Sequence, residues 1–134
     1  MDLTVEQEPG AITVFALSGE LDYSNFEQLV DAARQAYQQG ARRLLLDMAG
    51  VEYMGSSGLV ALHAVAMIFS GQEPPDPEEG WAAYRTLTDD VEGHTHEFVK
   101  LLRPSAQVLN VLERTGMRQF FEVHVDRAAA VASF

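Results

Sequence analysis

The chain has 134 residues, enough for one self-sufficient domain, with a hydrophobic fraction of 47%, a charged fraction of 22% and no cysteine. The missing cysteines exclude a disulfide framework, thiolate-bound zinc and thiol catalysis, and no apolar run reaches the ~20 residues that cross a bilayer. A net charge of −11 opposes direct binding to nucleic acid or an anionic membrane and fits a protein partner with a basic face, though acidity also serves solubility. The opening Met1-Asp2-Leu3-Thr4 lacks the basic and apolar regions of a signal peptide, so a cytoplasmic protein is expected.

Leu3, Val5 and Gln7 alternate with polar residues as a first strand, Pro9-Gly10 supplies a turn, and residues 12–17 form a mostly apolar second strand, giving a hairpin. Residues 19–23 read as a connection in which Asp22 or Ser24 caps the helix that follows. Phe26, Leu29, Val30, Ala33 and Tyr37 recur at helical spacing, and Gly40 suits a left-handed helix end. Residues 42–47 make a short strand whose Leu44-Leu45-Leu46 implies burial on both faces. After a short connection a helix runs from about Ser57 to Phe69, with Ser57 as its expected cap and Gly55 free to take positive φ in a tight turn.

Residues 71–96 stand apart as an acidic, proline-rich insert of the kind that is functional or disordered in a compact domain. Phe98 to Leu102 resumes the strands, Pro104-Ser105 opens a helix ended by Thr115-Gly116, residues 120–125 form a last strand, and Asp126 caps an alanine-rich helix reaching Phe134. The expected fold is α/β, a mixed and mostly parallel sheet of about five strands with helices packed against it. Its order is β-β-α-β-α-(insert)-β-α-β-α, in a single domain over 1–134.

The most informative stretch is Leu44 to Leu59, where an apolar run ends in Asp47 and Gly55-Ser56-Ser57-Gly58 opens the next helix. A helix start presents free N–H groups and suits a negative charge, bound or covalent. Leu46-Asp47 followed by Tyr53-Met54-Gly55-Ser56-Ser57-Gly58-Leu59 resembles the signature of the STAS domain, specifically the bacterial anti-sigma factor antagonists. Arg103-Pro104-Ser105 with Thr115-Gly116-Met117 is similar to that family's Pro-Ser helix, and Ser18-Gly19-Glu20-Leu21-Asp22 to its Gly-x-Leu-Asp corner.

The resemblance implies a module that binds an anti-sigma factor, itself a serine kinase, and thereby releases a sigma factor. Phosphorylation of the first hydroxyl residue of the turn, here Ser56, breaks the complex, and a serine phosphatase reverses it. The binding face it implies comprises Asp22, Ser24, Asp47, Gly55, Ser56, Ser57 and Gly58, with no cofactor. Gly55 departs from the family pattern, which has an acid there, and the insert is a second departure. Both favour the rival reading, a STAS-like scaffold in a signalling or lipid-transport complex without phosphoregulation.

Each feature also has a plainer reading. A serine at a helix start is as a rule a cap, as expected of Ser105, and Asp47 either lines the site or solvates a strand end. His94-Thr95-His96 with Asp89, Asp90 and Glu92 invites a metal, but alternate ligands in an acidic loop are a weak signal, and no metal site is assigned. His63 on an apolar helix reads as a packing residue, and Trp81 and Tyr84 as anchors of the insert or contacts for a partner. A serine hydrolase is the remote alternative: Ser56 sits on a strand-to-helix turn, but the Gly-x-Ser-x-Gly elbow is absent, as are both glycine-rich nucleotide loops, so no enzyme is expected.

Overall fold

The computed structural model describes residues 1–72 and 96–134. In chain order these form β1 (Asp2–Glu8), β2 (Ile12–Leu21), α1 (Phe26–Gln38), β3 (Arg43–Met54), α2 (Ser56–Phe69), β4 (His96–Leu102), α3 (Ala106–Thr115), β5 (Phe121–His124) and α4 (Arg127–Ala132). A 3-10 turn, Met117–Phe120, precedes β5. The five strands lie in one sheet in the order β1-β2-β3-β4-β5. β1 runs antiparallel to β2, and the other neighbours are parallel, so the sheet is mixed and mostly parallel.

Spatial order that follows chain order has a consequence for the helices. Right-handed crossovers stepping in one direction place each connecting helix on the same face. The main core accordingly joins Phe26, Leu29 and Ala33 of α1, Leu59, Leu62 and Val65 of α2, and Val108 and Leu112 of α3 to Phe15, Leu44, Leu46, Val99 and Leu101. Residues alternating with these, Val14, Leu45 and Leu102, face the other way and pack on Ala130 of α4. The triple leucine of β3 is therefore buried on both faces because α4 covers the reverse side. Lys100 also points there; its Nζ donates to the Ser133 carbonyl and hydroxyl, each at 2.9 Å, and pairs with Glu122 at 2.9 Å.

α2 is the central helix. From Leu59 to Phe69 every residue except Val60 is buried, as an all-round apolar helix requires. It closes in a Schellman arrangement, with Gly71 N–H on the Ile68 carbonyl and Gln72 N–H on that of Met67. Gly71 and Gln72 thus belong to the helix end and His96 to β4, which narrows the expected insert at both edges. Trp81, Tyr84 and the 89–95 part of the expected histidine-acid cluster lie outside the described residues.

The strand expected over 42–47 is far longer than the sequence suggested. β3 runs on to Met54 because Met48, Val51 and Met54 turn into the core, and its pairing with β2 shifts twice, between Ala16 and Ser18 and between Gly19 and Glu20, to absorb the extra residues. β2 likewise continues through Gly19 and Glu20, which were expected to form a connection. The last strand is shorter than expected, since Phe120 belongs to the 3-10 turn and Val125 lies beyond β5.

Candidate functional site

β4 pairs with β3 only over Leu44–Asp47, whereas β2 and β3 stay paired up to Leu21 and Met54. The β2–β3 ribbon therefore overruns its neighbour, and Ser56 stands at its tip. The two chain segments leaving the ribbon are tied together, the Gly55 N–H donating to the Leu21 carbonyl at 3.1 Å.

The turn after β2 is organised by its own side chains. One Asp22 carboxylate oxygen accepts from the Ser24 N–H at 2.9 Å and from the Ser24 hydroxyl at 2.6 Å. The Asn25 side chain accepts from the Asp22 N–H at 3.0 Å and donates to the Glu20 carbonyl at 2.6 Å. The Ser24 hydroxyl, then its amide, hold the Asp22 carboxyl below its ordinary pKa. Neither Asp22 nor Ser24 caps α1 as expected: Asn25 holds the N-cap position, and no side chain makes a capping bond there. Their hydrogen bonds go to shaping the turn.

A second correction concerns α2. Its N-cap residue is Gly55, which has no side chain to offer, so Ser56 and Ser57 fall inside the first turn and neither makes a capping bond. The expected cap at Ser57 is two positions too late. Nor does Gly55 use positive φ: its φ of −87° and ψ of −178° are open to any residue. A Cβ added there would meet the Tyr53 ring at 3.6 Å, an ordinary contact. Gly58 is different. It is buried, and a Cβ would collide with the Met54 side chain and come within 3.1 Å of the Leu21 carbonyl oxygen, so only glycine lets α2 press this closely on the ribbon.

Ser56 is exposed, Ser57 half-buried and Gly58 buried, a gradient produced by the helix turning into the core. The structure thus brings Asp22, Ser24, Gly55, Ser56, Ser57 and Gly58 to one end of the molecule. Asp47 belongs to another contact set. It lies level with Ala16 and Leu102, accepts from the Ala49 N–H at 3.1 Å and pairs with Arg103 at 3.0 Å.

One residue of this region carried no signal in the sequence. Gln107, in the first turn of α3, accepts from the Met54 N–H at 2.9 Å and donates to the Met54 carbonyl at 3.2 Å. Met54 lies beyond the end of β4, so this amide supplies the partner that a neighbouring strand would have given. A glutamine on a helix surface ordinarily reads as a solvated residue, and nothing in its spacing marks this one.

The chemistry open to this end is that of an exposed hydroxyl. Ser56 and the buried His63 lie seven residues apart on α2, about 10 Å along the axis, too far for a nucleophile–base pair. Halfway along α2, His63 faces His96 with ring centroids 6.3 Å apart. Burial lowers the pKa of both, and that of His96 falls to about 4 through burial and the charge of His63. Among the described residues no group of three or more histidine or acidic side chains is arranged to hold a metal ion, and no helix is long and apolar enough to cross a membrane.

Residues 4–73 match the family model described as "Mlab, STAS domain". No curated protein matches the chain in sequence. Among solved structures, the unphosphorylated form of the anti-sigma factor antagonist SpoIIAA is similar over 97% of this chain and 93% of that one, with a TM-score of 0.62 and 22% identity. SpoIIAA of Bacillus in its phosphorylated form covers 98% of this chain and 97% of its own, with a TM-score of 0.58 and 19% identity. An anti-sigma factor antagonist from Mycobacterium paratuberculosis gives a TM-score of 0.70 at 18% identity, over 98% of this chain and 92% of that one. At these identities the likeness is one of fold.

Proposed function

The chain belongs to the STAS domain family, and from that premise we propose that it is an anti-sigma factor antagonist in a partner-switching circuit. In this reading 1–134 acts as one domain in the cytoplasm. It binds an anti-sigma factor that is also a serine kinase, with the Asp22–Ser24 turn and the Gly55–Gly58 turn as its contact face, and so releases a sigma factor. Phosphorylation of Ser56 ends the binding, and a serine phosphatase restores it. Gly58 contributes by letting the helix sit close, and Asp47 by holding Arg103, rather than by touching the partner.

The observation that carries the reading is the placement of Ser56: exposed, first in α2, and not used as a cap. A kinase can reach such a hydroxyl without unfolding anything. The phosphate brings about −1.5 to −2 charges, which the positive end of a helix tolerates, so the fold survives while a close-packed interface does not. That SpoIIAA occurs in phosphorylated and unphosphorylated forms supports this division of roles.

The test is co-purification from the native cytosol with wild type, Ser56→Ala and Ser56→Asp. Ser56→Ala is expected to keep the partner and Ser56→Asp to lose it. Mass spectrometry after incubation with ATP and the captured kinase is expected to place phosphate on Ser56. Equal capture by both variants selects the second reading, a scaffold or transport-complex module without phosphoregulation. Gly55 favours that second reading, because it leaves the phosphoacceptor without a neighbouring carboxylate although backbone and space would accept one. Neither reading involves catalysis, and a fluorophosphonate probe is expected to leave Ser56 unlabelled.

A further inference from the structure

β1 lies at the edge of the sheet, and among the described residues no strand pairs with its outer side. Asp2–Glu8 therefore aims alternate N–H and C=O groups away from β2. The two faces of the strand differ in chemistry. Leu3, Val5 and Gln7 stand level with Leu17, Phe15 and Thr13 on the helix side, whereas Asp2, Thr4, Glu6 and Glu8 point to the reverse side. Val5 is 53% exposed. Beside it a groove of about 240 Å³ runs between β1 and α1, floored by Val5, Phe15, Ala32, Ala36 and Ala41, with Gln35 at its rim. On the reverse side Glu6 and Glu8 share one cation, Arg127, at 2.6 and 2.8 Å, so the trio keeps a net negative charge. The Met1 ammonium lies toward Asp22, at the opposite end of β1 from these two acids.

We propose that β1 accepts a further strand from a protein partner, an extended segment in which apolar residues alternate with lysine or arginine. Main-chain hydrogen bonds to a sheet edge supply affinity, and room for alternate side chains supplies specificity. An apolar side chain placed beside Val5 leans over it into the alanine-floored groove. The residues on either side of it then point to the reverse face, where opposite charges across from Glu6 and Glu8 stabilise the pairing and like charges oppose it. The same rule excludes a second copy of the chain. Antiparallel pairing of two β1 strands about Val5 sets Asp2 against Glu8 and Thr4 against Glu6, and parallel pairing in register sets each acid against itself. The acids thus guard the edge against self-association while leaving it open to a cationic strand. Val5 to Glu8 pair with Ile12 to Phe15, at the opposite end of β2 from Leu21 and the Ser56 turn, so the proposal stands whether or not Ser56 is a switch.

The test follows the intact chain by amide NMR and hydrogen exchange. Its probe is an end-blocked peptide that alternates lysine and valine four times; its comparator has the same composition as a block of lysines followed by a block of valines. The alternating peptide is expected to bind about tenfold more tightly than the block peptide and to slow exchange of the outward amides of Asp2–Glu8 about tenfold. Val5→Lys, which puts a cation at the groove, is expected to weaken binding about tenfold while the rest of the spectrum stays folded. Glu6→Gln, which leaves Arg127 its contact with Glu8, is expected to weaken it about threefold, and Glu113→Gln, on the exposed side of α3, by less than about twofold. Equal affinity for the two peptides, or an effect of Glu113→Gln as large as that of Glu6→Gln, overturns the proposal, because the peptide then meets only a diffusely anionic chain. Binding without added protection in β1 overturns it as well, because no strand has been added there.

Discussion

α2 and α3 begin with nearly the same grammar and are held by different physics. In α3 the N-cap is Ser105, whose hydroxyl accepts from the Val108 N–H at 3.3 Å, and Val108 itself is a buried apolar anchor. In α2 the matching positions are Gly55 and Gly58, with no capping side chain and no anchor. There the helix is held by close approach to Leu21 and Met54 and by the all-round burial of its later turns. Shifting the serine by one position, from N-cap to first helical residue, converts a structural hydroxyl into an uncommitted one. A helix that is fixed by shape can leave the polar atoms at its mouth for a partner or an enzyme.

The contrast can be broken most forcefully at Gly58. Gly58→Ala forces a Cβ against Met54 and Leu21 and is expected to destabilise by about 2–3 kcal/mol in chemical denaturation. A change near zero would mean that α2 is not held by close approach. Next is Gln107, a polar strut between the two helix starts. Gln107→Ala leaves the buried Met54 N–H and carbonyl without their partner and is expected to cost about 1–3 kcal/mol.

Removing the cap sharpens the comparison directly. Ser105→Ala is expected to cost about 1 kcal/mol, whereas Ser56→Ala and Ser57→Ala should each stay within about 0.5 kcal/mol. The middle of α2, where His63 faces His96, supplies a pH test. The His63 and His96 pKa values lie below the ordinary 6.5, so the unfolded chain binds more protons than the folded one between about 4 and 6.5. Stability is therefore complete above pH 6.5 and lost as pH falls through that window. Tm is expected to drop by about 3–6 °C between pH 7 and pH 5, with His96→Gln flattening the profile. The smallest effect is a gain: Gly55→Asp gives α2 the acceptor it lacks and is expected to stabilise by about 0.5 kcal/mol. If the acid also serves the kinase, the same variant raises the rate of Ser56 phosphorylation.

Element order and type were legible because each follows from local rules. The hairpin shows in the alternation around Pro9-Gly10, and α1 in its 3.6-residue period and its end at Gly40, where φ is 107°. Ser105 and Asp126 make the caps expected of them, the latter by accepting from the Ala129 N–H at 3.0 Å. The lengths of β2 and β3 were not legible. Met48-Ala49-Gly50-Val51-Glu52-Tyr53 has no period-2 alternation, and the bulges that let it remain a strand exist only through pairing with β2.

What the residues alone determined, then, was the sequence of strands and helices, the acidity of the chain and the presence of a serine pair at a strand-to-helix turn. These depend on neighbours within a few positions and on charge, which needs no fold. The tertiary structure decided that Asp22 and Ser24 lie beside Ser56 while Asp47 does not, that Gln107 replaces a missing strand, and that Ser56 stands clear of the cap. Each depends on how far two strands run past a third, and that is set by core packing between residues distant in the chain.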